Sequence, residues 1–502
     1  MRRPNILILM VDQLTGRLFP DGPEPWLHTP HLARLAERSA RFSQAYCASP
    51  LCAPSRASFM TGMLPARTKV YDNAAEFSAD LPTFAHYLRG EGYRTVLSGK
   101  MHFVGPDQLH GYEERLTTDI YPSDFGWTPD WRRPGQRIDW WYHNLGSVTG
   151  AGPAVSSNQL DYDDETTFEA VAALRDLARA QDDRPWCLTV SFTHPHDPYV
   201  NRPAYWARHA DCPALDPVCP EPAGDSHSAR LMAANDAPNF PITRADIRRA
   251  RQGYFASISY IDDRIGEILA ALEEMGPHAS EETIILFLSD HGDMLGEHGL
   301  WFKMSFREGS ARVPMMLAGP GVTPGRIDTP VSTLDVAPTL AALAGMNTEP
   351  IAGWLDGESL LPVIAGAGRG PVPMEYMAEG SVAPMVALVD WPWKLVLCPA
   401  DPDQLFRLDT DPDERVNLAR DPAHAAEHAR LVEAVARRWD LRQIDADVRE
   451  SQARRLALYP ALRIGRYQAW DWQPQKPASA RFMRNHLDLN RLEDDRRHPK
   501  EG

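Results

Sequence analysis

The sequence predicts an α/β protein: a large, mainly parallel sheet flanked by helices, then a smaller antiparallel sheet with a helix, then an extended tail. Three observations predict it. Short, continuous apolar runs recur through the first 370 or so residues and end in polar, reactive residues. Helical patterns lie between them. After that point the apolar runs become closely spaced and are separated by turns.

Residues 6–11 run into Asp12-Gln13, and residues 95–97 into Ser98-Gly99-Lys100-Met101-His102. Residues 187–192 run into Thr193-His194-Pro195-His196-Asp197, and residues 284–288 into Ser289-Asp290-His291-Gly292-Asp293. Residues 313–317 run into Ala318-Gly319-Pro320-Gly321. Runs of this length suit strands buried on both faces. Residues 29–41 carry Leu32, Leu35, Ala36 and Ala40 at helical spacing. Longer helices are expected at 163–179 and 245–274, the second with Ile258, Ile261, Ile265, Ile268 and Leu272 on one face. Ligands of such folds sit outside the carboxyl ends of the strands, where all of these polar clusters are expected to lie. Residues 385–389, 393–397 and 404–408 read as short strands, and 423–438 as the helix beside them. The expected division is a large α/β domain at 1–370, a smaller α+β unit at 371–445, and a tail at 446–502.

Composition narrows the function classes. Hydrophobic residues make up 43% and charged residues 24% of 502, as in an ordinary soluble globular protein. The net charge of −16 argues against nucleic acid or anionic membrane as a partner. The 44 prolines are spread among apolar runs, so they read as ordered loops. Two arginines before the first apolar run superficially resemble a secretion signal. The run is too short, Asp12 interrupts it, and no small-residue cleavage site follows. It reads as a buried strand, no stretch is long enough to span a membrane, and a cytoplasmic location is expected. None of Cys47, Cys52, Cys187, Cys212, Cys219 and Cys398 forms a C-x-x-C pair, and their density is too low for a disulfide scaffold.

Cys52 stands apart by its context. Residues 50–62 read Pro-Leu-Cys-Ala-Pro-Ser-Arg-Ala-Ser-Phe-Met-Thr-Gly. Pro54 suits a first helical turn, which would put Cys52 at a helix N-terminus, where an anion is favoured. Arg56 adds positive charge. A lone cysteine before a helix would read as a plain buried thiol. Here the segment resembles the sulfatase signature, including its C-x-P-S-R core at Cys52-Ala53-Pro54-Ser55-Arg56. A second sulfatase signature is matched by Gly92-Tyr93-Arg94-Thr95 and Ser98-Gly99-Lys100-Met101-His102. The resemblance implies an alkaline-phosphatase-like fold and oxidation of Cys52 to formylglycine, an aldehyde made by a formylglycine-generating enzyme. The aldehyde hydrate carries two hydroxyls on one carbon. One attacks sulfur and displaces the alcohol; loss of the proton from the other expels sulfate.

An oxygen nucleophile approaching a sulfate ester needs cationic support. The strand-end carboxylates Asp12 and Asp290 are ligand candidates, with Gln13 and His291 beside them. An isolated Asp-His pair would read as a turn or helix cap. The family's ligands, carried over by position, are Asp12, Gln13, Cys52 as formylglycine, Asp290 and His291. Many sulfatases have two successive acidic residues at the first position and Asp-Asn at the second, so this chain carries fewer anions. A mostly oxygen site suits Ca²⁺, and the histidine keeps Mn²⁺ or Mg²⁺ open. Arg56, Lys100 and Lys303 are candidates to hold sulfate oxygens. His102 is the candidate base, and His194 and Lys303 are candidates to protonate the leaving alcohol. His196 is a supporting residue, and Asn73 matches a sulfate-facing amide of close relatives.

The loop 125–152 holds Trp127, Trp131, Trp140, Trp141, Tyr142 and His143. Such a loop is usually a packing device, yet aromatic faces also bind quaternary ammonium. Over nearly its full length the chain resembles the choline-sulfatase branch of the family. The matching runs include 139–150, 189–199, 290–309 and Arg484-Asn485-His486-Leu487-Asp488-Leu489. This resemblance implies choline sulfate as substrate, Trp127, His143 and Glu379 around the trimethylammonium head, and a homodimer or homotetramer in which Asp488 reaches a neighbour's cation pocket. Two other readings stay open: a phosphonate monoesterase or phosphodiesterase of the same superfamily, and a non-catalytic quaternary-ammonium binding protein with Cys52 unmodified.

Overall fold

The computed structural model describes residues 3–134, 137–138, 143–222, 224–466, 470 and 487–496. The main sheet is built from β1 (Asn5–Val11), β2 (Ser39–Phe42), β3 (Arg94–Gly99), β4 (Glu114–Arg115), β5 (Trp186–Ser191), β6 (Thr283–Ser289), β7 (Met315–Ala318) and β8 (Gly325–Ile327). Their order is β8-β2-β7-β6-β1-β5-β3-β4. The principal helices are α1 (Pro30–Glu37), α2 (Cys52–Thr61), α3 (Asn158–Arg179), α4 (Arg244–Glu274), α5 (Ala425–Arg438), α6 (Leu441–Leu462) and α7 (Leu489–Arg496).

Alternation along β1 explains why its run is continuously apolar. Leu7, Leu9 and Val11 enter one core with Ile258, Ile261, Ile265 and Ile268 of α4. Ile6, Ile8 and Met10 enter a second core with Ala53, Ala57 and Phe59 of α2. Helices therefore cover both faces of the sheet, and no strand position at its centre can be polar without a partner.

Register brings the reactive segments to one edge. Parallel pairing sets Val11 opposite Ser289, Met10 opposite Ser191 and Gly99 opposite Ser191. Asp12-Gln13, Lys100–His102, Thr193–His196 and Asp290–His291 thus leave neighbouring strands at the same end. Gly99 is the tight point: its φ is +102°, and a Cβ there would lie 1.9 Å from the Ser191 carbonyl oxygen. No other residue fits both constraints.

Two expectations need correction here. β7 runs antiparallel to β6 and β2, so Ala318-Gly319-Pro320-Gly321 leaves the sheet at the edge away from the other clusters. The helix expected at 29–41 ends at Glu37, and residues 39–42 are instead strand β2, because Ala40 and Phe42 pack beneath the sheet. The second sheet contains β9 (Val372–Tyr376), β10 (Met385–Asp390), β11 (Trp393–Leu397) and β12 (Gln404–Arg407), all antiparallel. Met385, Ala387 and Val389 face the main core, whereas Val386 and Leu388 face Leu431, Val435 and Trp439 around α5. The expected boundary at 445/446 falls inside α6, which starts earlier because Asp440 caps it by accepting from Arg442 N–H and Gln443 N–H.

Candidate active site

Cys52 is the first residue of α2, and all of that helix is buried. Free N–H groups at a helix start favour an anion. Asn73 Oδ1 accepts one of them, from Ala53, at 2.9 Å. Cys52 Sγ stands where the carbonyl or hydrate oxygen of a converted residue would project. It lies 3.2 Å from His291 Nε2 and 3.3 Å from Lys303 Nζ. Burial alone would raise its pKa, but Lys100, Lys303 and His291 pull it well below the ordinary thiol range. The position is built to carry a negative charge.

Asp12, Cys52, Asp290 and His291 offer ligand atoms that all lie within 4.8 Å of one another. Burial and the Cys52 charge push the Asp12 carboxyl up, yet Lys100, His196 and Arg56 hold it far below the usual range. His291 Nδ1 faces the Gly292 carbonyl at 3.1 Å, so Nδ1–H donates there and Nε2 is the ring atom turned to the cluster. Gln13 is held in the left-handed region at φ +67°. Its Nε2 donates to Asp197 at 3.2 Å and to Asp293 at 2.7 Å. Those two carboxylates fix the amide so that Oε1 points inward, where it accepts from Lys303 Nζ at 2.6 Å. Two carboxylates, one oriented amide oxygen and one imidazole nitrogen fit a divalent cation.

Cations surround the same cluster. Lys100 contacts Asp12 and lies 4.1 Å from the centre of the Tyr121 ring. Lys303 also meets His196 Nε2 at 2.8 Å. His102, at φ +54°, sits edge-on to Trp127 with ring centres 6.0 Å apart. Both of its ring nitrogens are buried, and the ring interacts with the Cys52 thiol and helps lower its pKa. His194 Nδ1 donates to Asp163 at 2.7 Å, and its Nε2 is buried without a partner among the described residues. Asp163 is itself fixed by the Thr193 and His194 backbone N–H groups at 2.8 and 2.9 Å.

Away from the metal donors the lining turns aromatic. Trp127 packs on Tyr121 as well as His102. His143 lies 5.1 Å from both His196 and Phe302, ring to ring. Burial, reinforced by Lys303, lowers its pKa to about 4, so it is a neutral ring at pH 7. Glu379 follows β9 and is only 6% exposed. Neither of its carboxylate oxygens has a partner among the described residues. Burial first, then the Asp72 charge, pushes its pKa up to about 8. A buried carboxylate without a donor is costly, and such groups mark binding sites.

Residues 4–346 match the sulfatase family. The chain belongs to the sulfatase family. Residues 296–440 match the C-terminal family of N-sulphoglucosamine sulphohydrolase, and residues 446–498 match the family described as choline sulfatase enzyme C terminal. The chain is 58% identical to a choline-sulfatase of Rhizobium meliloti (strain 1021), over 99% of both proteins. It is 30% identical to the iduronate 2-sulfatase of Mus musculus, over 74% of this chain and 69% of that one. The fold is shared with the phosphonate monoester hydrolase of Agrobacterium radiobacter, at TM-score 0.68 and 23% identity over 89% of this chain and 96% of that one. Sulfatases generally use a metal ion and a formylglycine made from cysteine.

This sulfatase brings most of the sequence-derived residues together: Asp12, Gln13, Cys52, Lys100, Asp290, His291 and Lys303 form one contact network. Arg56 differs from expectation. Its guanidinium is fully buried and turned to Asp12 at 2.9 Å, Asp290 at 2.8 Å, the Lys100 carbonyl at 2.6 Å and Ser191 at 2.8 Å. With those groups engaged it braces the two ligand carboxylates instead of reaching a sulfate oxygen. Asp488 is exposed and caps α7, accepting from Asn490 N–H at 2.9 Å and Arg491 N–H at 3.1 Å, so in this chain it stands apart from the cluster. Trp140, Trp141 and Tyr142, and Arg484, Asn485 and His486 of the tail, lie outside the described residues. Sequence reasoning missed Asp163, Asp197 and Asp293 as supports. Asp197 and Asp293 sit in strand-end clusters that flagged their neighbours, whereas Asp163 lies inside a helix where nothing in its surroundings marks it.

Proposed function

We propose that this sulfatase hydrolyses choline sulfate to choline and sulfate. The observation that carries the reading is Glu379: a buried carboxylate whose side-chain oxygens have no partner among the described residues, close enough to Cys52 for the two charges to interact. A buried carboxylate suits a cationic ligand, and the aromatic rings of the site, Trp127 and Tyr121, suit a trimethylammonium head. The full-length similarity to a choline-sulfatase supports the same substrate.

Converted to formylglycine and hydrated, residue 52 supplies one oxygen to attack sulfur and a second whose deprotonation expels sulfate. A divalent cation held by Asp12, Gln13, Asp290 and His291 would neutralise charge at the attacked group; we favour Ca²⁺, with Mn²⁺ or Mg²⁺ as alternatives. Lys100, Lys303 and the Asn73 amide hold sulfate oxygens. His194, its Nδ1–H given to Asp163, presents Nε2 to protonate the departing choline oxygen, with Lys303 as the other candidate donor. His102, which already interacts with the side chain of residue 52, takes the hydrate proton. Arg56 keeps Asp12 and Asp290 in place. We further propose maturation by a formylglycine-generating enzyme, and a homodimer or homotetramer joined by the tail, with Asp488 entering a neighbouring subunit's ammonium pocket. A cytoplasmic setting fits six free cysteines. Among the described residues no helix is long and apolar enough to cross a membrane.

The test is kcat/KM for choline sulfate, 4-nitrophenyl sulfate and a phosphonate monoester, on protein with measured Cys52 conversion. Choline sulfate should lead by about 100-fold, the worth of one desolvated charge contact. Equal values for the aryl ester would remove the ammonium site, and a phosphonate lead would favour the phosphonate hydrolase reading.

A further inference from the structure

Helix α6 touches the substrate end of the site from behind. Ile444, Val448, Gln452 and Arg455 are spaced four, four and three residues apart, so they share one face. Val448 is fully buried against Tyr71, Trp131 and Met377, and Ile444 packs beside it. Gln452 Oε1 accepts from Trp131 N–H at 3.0 Å. The Trp131 indole N–H in turn donates to the Ala378 carbonyl at 3.2 Å. Arg455 grips Asp72 with both terminal nitrogens, each at 2.7 Å, and reaches Thr128 Oγ1 at 3.0 Å. Tyr459 packs against Gly126, where a Cβ would come within 2.9 Å of its hydroxyl.

Arg455 holds Asp72 and Thr128 directly, and Gln452 reaches Ala378 through Trp131; each of these three lies one residue from a proposed substrate-contacting group. Asp72 precedes Asn73, Thr128 follows Trp127, and Ala378 precedes Glu379. The pattern also sorts charge. Asp72 is fully buried but bidentately paired, which leaves Glu379 as the carboxylate without a partner among the described residues. Gln452 and Arg455 both lie in the segment that matches the choline sulfatase C-terminal family.

We propose that Gln452 and Arg455 are positioning residues that set specificity for a quaternary-ammonium sulfate ester, by fixing the backbone beside Trp127 and Glu379. The inference rests on the choline-sulfate reading above. It gives the C-terminal segment a task inside its own chain, separate from subunit contact. Packing supports it: Trp127 and Glu379 come from distant parts of the sequence, Arg455 holds Thr128 beside the first, and Gln452 reaches Ala378 beside the second through Trp131.

The experiment uses the full-length, metal-loaded enzyme with measured formylglycine content. Gln452→Ala and Arg455→Met are compared with wild type on choline sulfate and 4-nitrophenyl sulfate, with free choline as inhibitor. The KM for choline sulfate should rise about fivefold in Gln452→Ala and about twentyfold in Arg455→Met. The inhibition constant for choline should rise in parallel, while kcat for the aryl ester stays within about threefold. A parallel fall on both substrates would mark α6 as merely structural and overturn the proposal. So would an unchanged KM for choline sulfate in both variants. Arg455→Met leaves Asp72 buried and unpaired; if it fails to fold, Gln452→Ala, which removes no charge, decides alone. The wild-type substrate ratio reports on the choline reading and the variant ratio on positioning, so the two failures are told apart.

Discussion

The two ends of the site handle charge in opposite ways. At the sulfate end both candidate ligand carboxylates are matched: Asp12 by Arg56 and Lys100, Asp290 by Arg56. Its groups leave adjacent strands whose register is fixed by a core on each face. At the ammonium end Glu379 has no partner among the described residues. Its neighbours come from a long loop, the end of β9 and the helix α6. The first end is a finished electrostatic device, suited to any sulfate ester. The second is incomplete until a cation arrives. Chemistry and specificity are therefore separable, and variants should divide by which end they touch.

The largest effect should come from Cys52→Ala, which removes the precursor of the nucleophile. Turnover of choline sulfate and of 4-nitrophenyl sulfate should both fall by about six orders of magnitude. Thermal unfolding should stay near wild type, because alanine is tolerated at a helix start packed this way. Substantial residual turnover on either ester would break the claim that both ends serve one nucleophile.

Asp163→Asn should come next, and it should split the two esters. Asparagine cannot accept from Nδ1–H of His194 as the carboxylate does, so the ring loses its fixed tautomer. For choline sulfate, whose alkoxide must be protonated as it leaves, kcat should drop about 1000-fold. For the aryl ester, whose phenolate leaves unaided, the loss should be less than about tenfold. Equal losses would move His194 out of the acid role and leave Lys303 as the donor.

Glu379→Gln sharpens the contrast from the other end. It should cost choline sulfate about 2–3 kcal/mol in kcat/KM, a loss near 100-fold. The aryl ester should be unaffected, or faster, since a costly buried carboxylate is gone. A parallel fall on both esters would make Glu379 a structural residue.

The sulfate end was legible in the sequence because the residues that define it are contiguous with strands. An apolar run fixes a strand, and the next residues, such as Asp12-Gln13 or Asp290-His291, must emerge at its end. The role of Arg56 was not legible: spacing put it near Cys52 but could not show that α2 would be wholly buried, turning the guanidinium down onto Asp12 and Asp290. The run at 313–317 looked like its neighbours, yet strand direction depends on the crossover that precedes it, which no local pattern records. The ammonium end was visible only through resemblance. Trp127, Glu379 and Arg455 are far apart in sequence and meet through tertiary packing alone.

The smallest expected effect is also the most selective. Glu379 ionises near pH 4.5 when solvated, and burial raises this to about 8 in the fold. Between those values the folded, ligand-free enzyme holds a proton that the unfolded chain has released. The contribution of Glu379 to stability is therefore full below pH 4.5 and is lost as pH rises toward 8. Binding runs the other way, because the trimethylammonium head needs the carboxylate. The ratio of kcat/KM for choline sulfate to that for 4-nitrophenyl sulfate reports the free enzyme. Below pH 8 that ratio should climb by up to about tenfold per unit, then level off. Taking the ratio cancels the titration of groups that serve both esters alike. In Glu379→Gln the ratio should be flat across the same range. A ratio that still climbs in that variant would place the titrating group at the sulfate end and dissolve the distinction between the two.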